Sequence, residues 1–299
     1  MSFINISGKK IYYESYGENH TPVLVYLHGG PGASCLDFTN TAKALGKQIK
    51  VVSFDQYGVL RSEIISDNEP YTMEIQAKMI DEMRRKMNIK SWSVLGHSYG
   101  GALAVLYADK YPDTVDQIIL ECPCLDFTDS AKSIASYLSS YIYHLGDKAA
   151  IVLCEKIQNS DYQNSNVVVD ILNLLDYVKD MELRNYLHSI SFDDYLSCFS
   201  TDGITDEMWA KTESHLLKLI EDGAMVNNYL PVLKGLNKPI LLLKGNYDPA
   251  CSENQVNYIK DLSNATIVEF EDSGHFPRIE EQEKYVEMVL GFINDYQKI

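Results

Sequence analysis

Missing from this 299-residue chain is any apolar run near the roughly 20 residues that a helical membrane crossing needs. Missing too, over Met1 to Gly8, are the basic head and long apolar stretch of a secretory leader. The first absence excludes a helical span, and the second leads us to expect a cytoplasmic protein. In that compartment the six cysteines, Cys35, Cys122, Cys124, Cys154, Cys198 and Cys251, stay reduced. Zinc spacing is lacking as well: Cys122-Pro123-Cys124 is too tight, and no Cys/His cluster completes a site. The cysteines are expected to be buried packing, with no metal and no cofactor. Positive charge is scarce, with 26 Lys and Arg against 42 Asp and Glu, a net charge of −16 spread along the chain. Such a field repels phosphate backbones and anionic lipid, so neither nucleic acid nor a membrane surface is an expected partner. A small neutral or cationic substrate is. No internal repeat or low-complexity linker divides the chain.

What is present has the balance of a globular protein, 45% apolar and 23% charged. Strand and helix signals alternate through the first part. Phe3–Ile6 and Ile11–Glu14 flank a Ser7-Gly8 turn and predict a hairpin. Val23–Leu27, Val51–Phe54, Trp92–Leu95 and Val115–Leu120 predict strands, the continuous apolar runs of a sheet covered on both faces. Helices are expected over Cys35–Leu45, Met73–Met87 and Tyr99–Tyr111. From about Leu125 to Pro231 helical signals dominate. Asp129 is a candidate cap for a helix stopped by Gly146, Asp147 can start the next, and Val167–Val169 is a single β-like run. Pro239–Leu243 and Thr266–Phe270 then restore strands, and a last helix is expected over Ile279–Tyr296. Alternation of this kind implies right-handed crossovers and a mostly parallel sheet, interrupted by an all-helical block near the ligand-binding ends of its strands.

The chemistry concentrates at Gly96-His97-Ser98-Tyr99-Gly100, a G-x-S-x-G pattern between an apolar strand and a helix rich in small residues. A serine on such a turn takes up strained dihedrals, and its glycines leave room for close neighbours. A serine hydroxyl needs a base within hydrogen-bond reach. In chains with this element the order is serine, acid, histidine. His275, in Asp272-Ser273-Gly274-His275, follows a late strand and is the candidate base. His20 lies in an early turn, His28 in the glycine loop, and His97 beside the serine but pointing elsewhere. His144, His188 and His215 fall in the helical block as surface or packing residues. Asp248, after Ile240–Leu243, is the candidate to orient the histidine, with Asp126 as its rival. The amides of Tyr99 and of Gly30, in His28-Gly29-Gly30-Pro31-Gly32, are the candidate oxyanion donors. One alcohol, one imidazole and one carboxylate are thus expected to form a relay.

Taken together, the H-G-G-P-G run, Asp55-Gln56-Tyr57-Gly58 with Arg61-Ser62, and Gly96-His97-Ser98-Tyr99-Gly100-Gly101 resemble the proline iminopeptidase family of α/β-hydrolases. The resemblance covers most of residues 20–121 and 238–299. Val59 and Leu60 depart from the small residues usual in the second element. The resemblance implies an α/β-hydrolase fold, a mostly parallel central sheet flanked by helices, with an all-helical cap inserted after the sixth strand. Residues 1–124 and 231–299 would form the core and 125–230 the cap. It also implies removal of an N-terminal residue, proline or similar, from short peptides by a serine acyl-enzyme route without metal. A carboxylesterase or lactonase using the same residues is the alternative. Family members hold the substrate's free amino group with cap glutamates. Here Glu155, Glu182, Glu207, Glu213 and Glu221 are available, and Glu221, near the return to the core, is preferred. No oligomeric state follows.

Overall fold

The computed structural model describes residues 2–18, 20–178 and 186–295. Eight strands form one sheet: β1 (Ser2–Ile6), β2 (Lys9–Tyr16), β3 (Val23–Leu27), β4 (Lys50–Phe54), β5 (Trp92–His97), β6 (Val115–Glu121), β7 (Ile240–Gly245) and β8 (Ala265–Phe270). Their spatial order is β1-β2-β4-β3-β5-β6-β7-β8. β2 runs antiparallel to both β1 and β4, and the remaining pairs are parallel. The apolar strands β3, β4 and β5 are buried because both faces are covered. Leu24 and Tyr26 point into the layer with α1 (Thr39–Leu45), while Val25 and Leu27 point into the layer with α2 (Met73–Lys86) and α3 (Tyr99–Lys110).

Helix ends follow local chemistry. Thr72 accepts from the Ile75 N–H at the start of α2, with Glu74 in the first turn and Arg84, Arg85 and Lys86 in the last, as the helix dipole favours. Between β6 and β7 lie α4 (Phe127–Leu145), α5 (Lys148–Asn159), α6 (Asn166–Asp176), α7 (Phe192–Ser197), α8 (Asp206–Ala210) and α9 (Thr212–Asp222). Then α10 (Leu230–Gly235) returns the chain to the sheet. After β7 come α11 (Glu253–Lys260) and, beyond β8, α12 (Pro277–Glu280) and α13 (Gln282–Asp295).

Several local expectations are corrected. The cap of α4 is Asp126, whose carboxylate accepts the Asp129 N–H, so Asp129 sits inside the first turn. Gly146 does end that helix in a left-handed turn at φ 70°, and Asp147 does cap α5. Val167–Val169 belongs to α6, where Val167, Val168, Ile171 and Leu174 make one buried face. The stretch from Cys35 starts as a short 3-10 turn before α1. The last helix is broken at Glu281, whose φ of −130° and ψ of 53° are not helical, and Tyr296 lies outside the described residues. Val59 and Leu60 are buried with Leu36 against Phe199, Ile204 and Met208 of the stretch between β6 and β7, which gives their bulk a packing reason. No helix of the described residues is long and apolar enough to cross a membrane.

Candidate active site

Ser98 lies between the end of β5 and the start of α3 at φ 55°, ψ −123°, a conformation an L-residue holds only when its surroundings impose it. Those surroundings are explicit. The Ser98 N–H donates to the Glu121 carbonyl (3.0 Å), and the Ser98 carbonyl accepts from Cys124 (3.1 Å), so the end of β6 anchors the turn from both sides. A Cβ at Gly96 would sit 2.2 Å from the Gly100 oxygen, and one at Gly100 would sit 2.1 Å from the Leu27 oxygen. Only glycine fits either position.

The glycine loop after β3 passes directly over the serine: a Cβ at Gly29 would lie 2.9 Å from Ser98 Cβ. Gly30 has φ 106°, open to glycine alone in practice. Tyr99 is the first residue of α3, so its N–H has no intrahelical acceptor, and the dipole there favours negative charge. Among the described residues neither the Gly30 nor the Tyr99 N–H is used in another backbone hydrogen bond.

The sequence marked Asp55-Gln56 and Arg61-Ser62 as a family signature without a reason, and the structure supplies one. Gln56 donates its backbone N–H to His28 Nε2 (3.1 Å) and its amide to the His28 carbonyl (3.1 Å), pinning the start of the glycine loop. An Nε2 that accepts places the His28 proton on Nδ1, and burial lowers the pKa of this ring and keeps it neutral. Asp55 accepts from Arg61 Nε (2.7 Å) and Nη2 (3.0 Å), from Ser34 Oγ (2.5 Å) and from the Cys35 N–H (3.1 Å), fixing the other end of the loop. Burial would raise the Asp55 pKa, but the Arg61 guanidinium holds it below the usual carboxylate range.

The two loops after β7 and β8 meet at the same sheet edge. A Cβ at Gly245 would fall 1.8 Å from the Gly274 oxygen, and the Tyr247 N–H donates to Ser273 (3.0 Å). His275 Nδ1 is 2.8 Å from Asp248 Oδ1, with both side chains buried. Asp248 also accepts the N–H groups of Ala250 (2.9 Å) and Cys251 (3.0 Å). Burial would raise its pKa, yet the charge and hydrogen bond of His275, helped by Lys244, hold it below the ordinary value. The rival Asp126 is committed elsewhere, capping α4 and accepting from Asn228.

His97 has a part that the sequence did not reveal. Its Nε2 donates to the His275 carbonyl (3.0 Å), so the neighbour of the serine steadies the histidine loop. Burial pushes its pKa well down, which keeps it neutral. The structure therefore brings histidine and acid into contact and ties both to the serine turn. A Ser98 Oγ–His275 Nε2 bond is not among the hydrogen bonds of the described residues; such bonds are often long until substrate is held.

Cys122, Asp248 and His275 place donor atoms within 4.8 Å of one another, the one such grouping among the described residues. It does not suit a cation. Burial pushes the Cys122 thiol well up, so the metal-binding thiolate is disfavoured, and the carboxylate already accepts three N–H groups. The cysteines are free thiols, five of them buried.

Of the glutamates, Glu155, Glu207, Glu213 and Glu221 are exposed, Glu155 bonded to Tyr143, while Glu182 lies outside the described residues. Next to Glu221, Asp222 accepts the Met73 N–H (3.1 Å) and ties α9 to α2. His215 is buried against Tyr57, and His144 and His188 are exposed.

Comparison with known proteins places this geometry. The alpha/beta hydrolase fold family matches residues 22–282. A protein named proline iminopeptidase from Heyndrickxia coagulans is 27% identical over 295 residues, covering 98% of each chain. Another of that name from Saccharolobus solfataricus is 28% identical over 294 residues, covering 97% of this chain and 90% of its own. Among solved structures, VinJ superposes with a TM-score of 0.71 at 17% identity, over 99% of this chain and 98% of its own. A meta-cleavage product hydrolase from Pseudomonas fluorescens gives 0.68 at 18% identity, over 99% and 98%. At such identities the two structures speak for the fold alone.

Proposed function

The chain belongs to the alpha/beta hydrolase fold family and is a hydrolase, and from that premise we propose that Ser98 is its nucleophile, His275 its general base and Asp248 the residue that orients the base. The observation that carries the reading is the strained Ser98 turn, φ 55° and ψ −123°, lashed through His97 to the loop of a buried histidine–aspartate pair. Backbone strain of this kind is retained where a side chain must be presented to a reaction.

Asp248 keeps the His275 proton on Nδ1, which leaves Nε2 to take the Ser98 proton. The alkoxide attacks a carbonyl carbon, and the oxyanion that forms is met by the Tyr99 and Gly30 N–H groups, each worth roughly 3 kcal/mol to the transition state. His275 then gives its proton to the leaving nitrogen, the C–N bond breaks and the acyl group stays on Ser98. Water, deprotonated by the same imidazole, attacks the ester carbon, the C–Oγ bond breaks, and His275 returns the proton to Ser98 as the acid is freed.

The substrate we assign is a short peptide with a free N-terminus, proline or a similar residue being removed. The names carried by the relatives at 27–28% identity support this choice. Residues 125–230 act as a cap over a core of 1–124 and 231–299, and Glu221 is the cap carboxylate offered to the substrate's amino group. A carboxylate facing that cation favours a free N-terminus over a blocked one, which offers it no charge to pair. Assaying the purified chain on a prolyl anilide and a short-chain nitrophenyl ester tests the assignment. Anilide hydrolysis is expected. Ester hydrolysis alone would overturn the peptidase reading and favour a carboxylesterase or lactonase with the same residues.

A further inference from the structure

One stretch of the inserted region touches both loops that carry the histidine and its acid. The His275 N–H donates to the Tyr186 carbonyl (2.7 Å), and the Tyr186 ring lies 5.1 Å from the His275 ring. Two residues on, the exposed His188 ring stacks on Tyr247, neighbour of Asp248, with centroids 3.4 Å apart and planes within 8°. The two contacts share an anchor. Glu280, the last residue of α12, accepts the His188 N–H (2.6 Å) and the Ser189 N–H (2.9 Å) on Oε1, and the Gly274 N–H (2.7 Å) on Oε2. The adjacent Glu281 accepts the Asp272 N–H (3.1 Å) and the Ser273 hydroxyl (2.6 Å), so the loop before His275 is held residue by residue. A Cβ on Gly274 would lie 2.3 Å from the Tyr186 carbonyl, which leaves this seam no slack.

We propose that Glu280 is a positioning residue whose two carboxylate oxygens join the Tyr186–Ser189 stretch to the His275 loop, so that seating the cap and presenting the base are one event. The proposal rests on His275 being the base and adds what holds it in place. Three N–H donors converge on one carboxylate, a demand no neutral side chain meets. Glutamine offers a single oxygen and turns an NH2 group toward an N–H donor, so Glu280→Gln breaks one arm while nearly keeping the shape.

The test is steady-state kinetics on a small nitrophenyl ester, which needs little of the cap for binding. Glu280→Gln should lower kcat at least tenfold while KM moves less than threefold. His188→Ala, an exposed change that removes the stack on Tyr247, should lower kcat two- to fivefold. Because both variants loosen one element, the double variant should lie within twofold of Glu280→Gln alone. Glu280→Gln retaining kcat within twofold of the parent, or two effects that multiply, would overturn the proposal. Should Glu280→Gln fail to fold, an unchanged kcat in His188→Ala overturns it. A fluorophosphonate that labels the parent chain keeps this failure apart from failure of the hydrolase mechanism, under which the parent itself would take no label.

Discussion

The sheet edge that carries Ser98, Asp248 and His275 differs from the helices between β6 and β7 in how tightly it prescribes its residues. At the edge, backbone passes against backbone, and Gly96, Gly100 and Gly245 each sit where a Cβ would fall within 2.2 Å of a carbonyl oxygen. Between the inserted helices Gly146 and Gly203 have open space around them and serve only the sign of φ. Ten of the thirteen exposed large apolar side chains of the described residues lie in this insert, Tyr137 and Trp209 among them. The contrast separates a region whose geometry fixes its sequence from one that can vary its surface to suit a substrate.

That contrast can be broken in steps. Ser98→Ala should lower kcat by roughly 10⁴-fold or more with an unchanged melting midpoint; residual turnover close to that of the parent would remove the edge's claim to the chemistry. Next come two matched glycine changes followed by urea unfolding. Gly100→Ala forces a methyl onto the Leu27 carbonyl and should cost about 3 kcal/mol or more, if the chain folds at all. Gly146→Ala meets no atom and should cost about 1 kcal/mol for its left-handed φ. Equal costs would erase the distinction.

The seam between the regions should answer to acid. His215 of α9 is buried with Nδ1 donating to the Tyr57 carbonyl (2.8 Å), and burial pushes its pKa down to about 3. The unfolded ring, with a pKa near 6.5, binds a proton that the folded ring refuses. Its contribution is therefore intact above about pH 6.5 and falls as pH drops toward 3, by up to about 1.4 kcal/mol per pH unit. Urea midpoints measured across that window should slope less in His215→Gln than in the parent, and parallel slopes would refute the assignment. The smallest effect is expected at Glu221→Gln, a rise in KM of three- to tenfold for a free-amine anilide and none for an ester without an amine. Equal KM changes on both would show that Glu221 does not serve the amino group.

How much was legible follows the same divide. The serine turn, the glycine loop and the order serine, acid, histidine are written in residue types because close approach and proton transfer tolerate few alternatives. The strands were legible from their apolar runs. In the insert, Asp126 and Asp129 are equally good caps on paper, and the choice falls to Asp126, while Asp129 turns to Asn254 of α11 and to Ser252, which caps that helix. Val167–Val169 has β propensity, but burial of Val167 and Val168 against the neighbouring helices overrides it. The break at Glu281 was hidden because its cause is tertiary: that carboxylate holds Asp272 and Ser273 of the histidine loop. The parts of Gln56, His97 and Glu280 were hidden likewise, since their partners are backbone groups that leave no mark in sequence.

The most direct measurement is to treat the chain with a fluorophosphonate and locate the adduct by mass spectrometry. A single adduct on Ser98, abolished in Ser98→Ala and strongly slowed in His275→Ala, is the result this account predicts. An unlabelled chain, or an adduct on another residue that persists in Ser98→Ala, would contradict it.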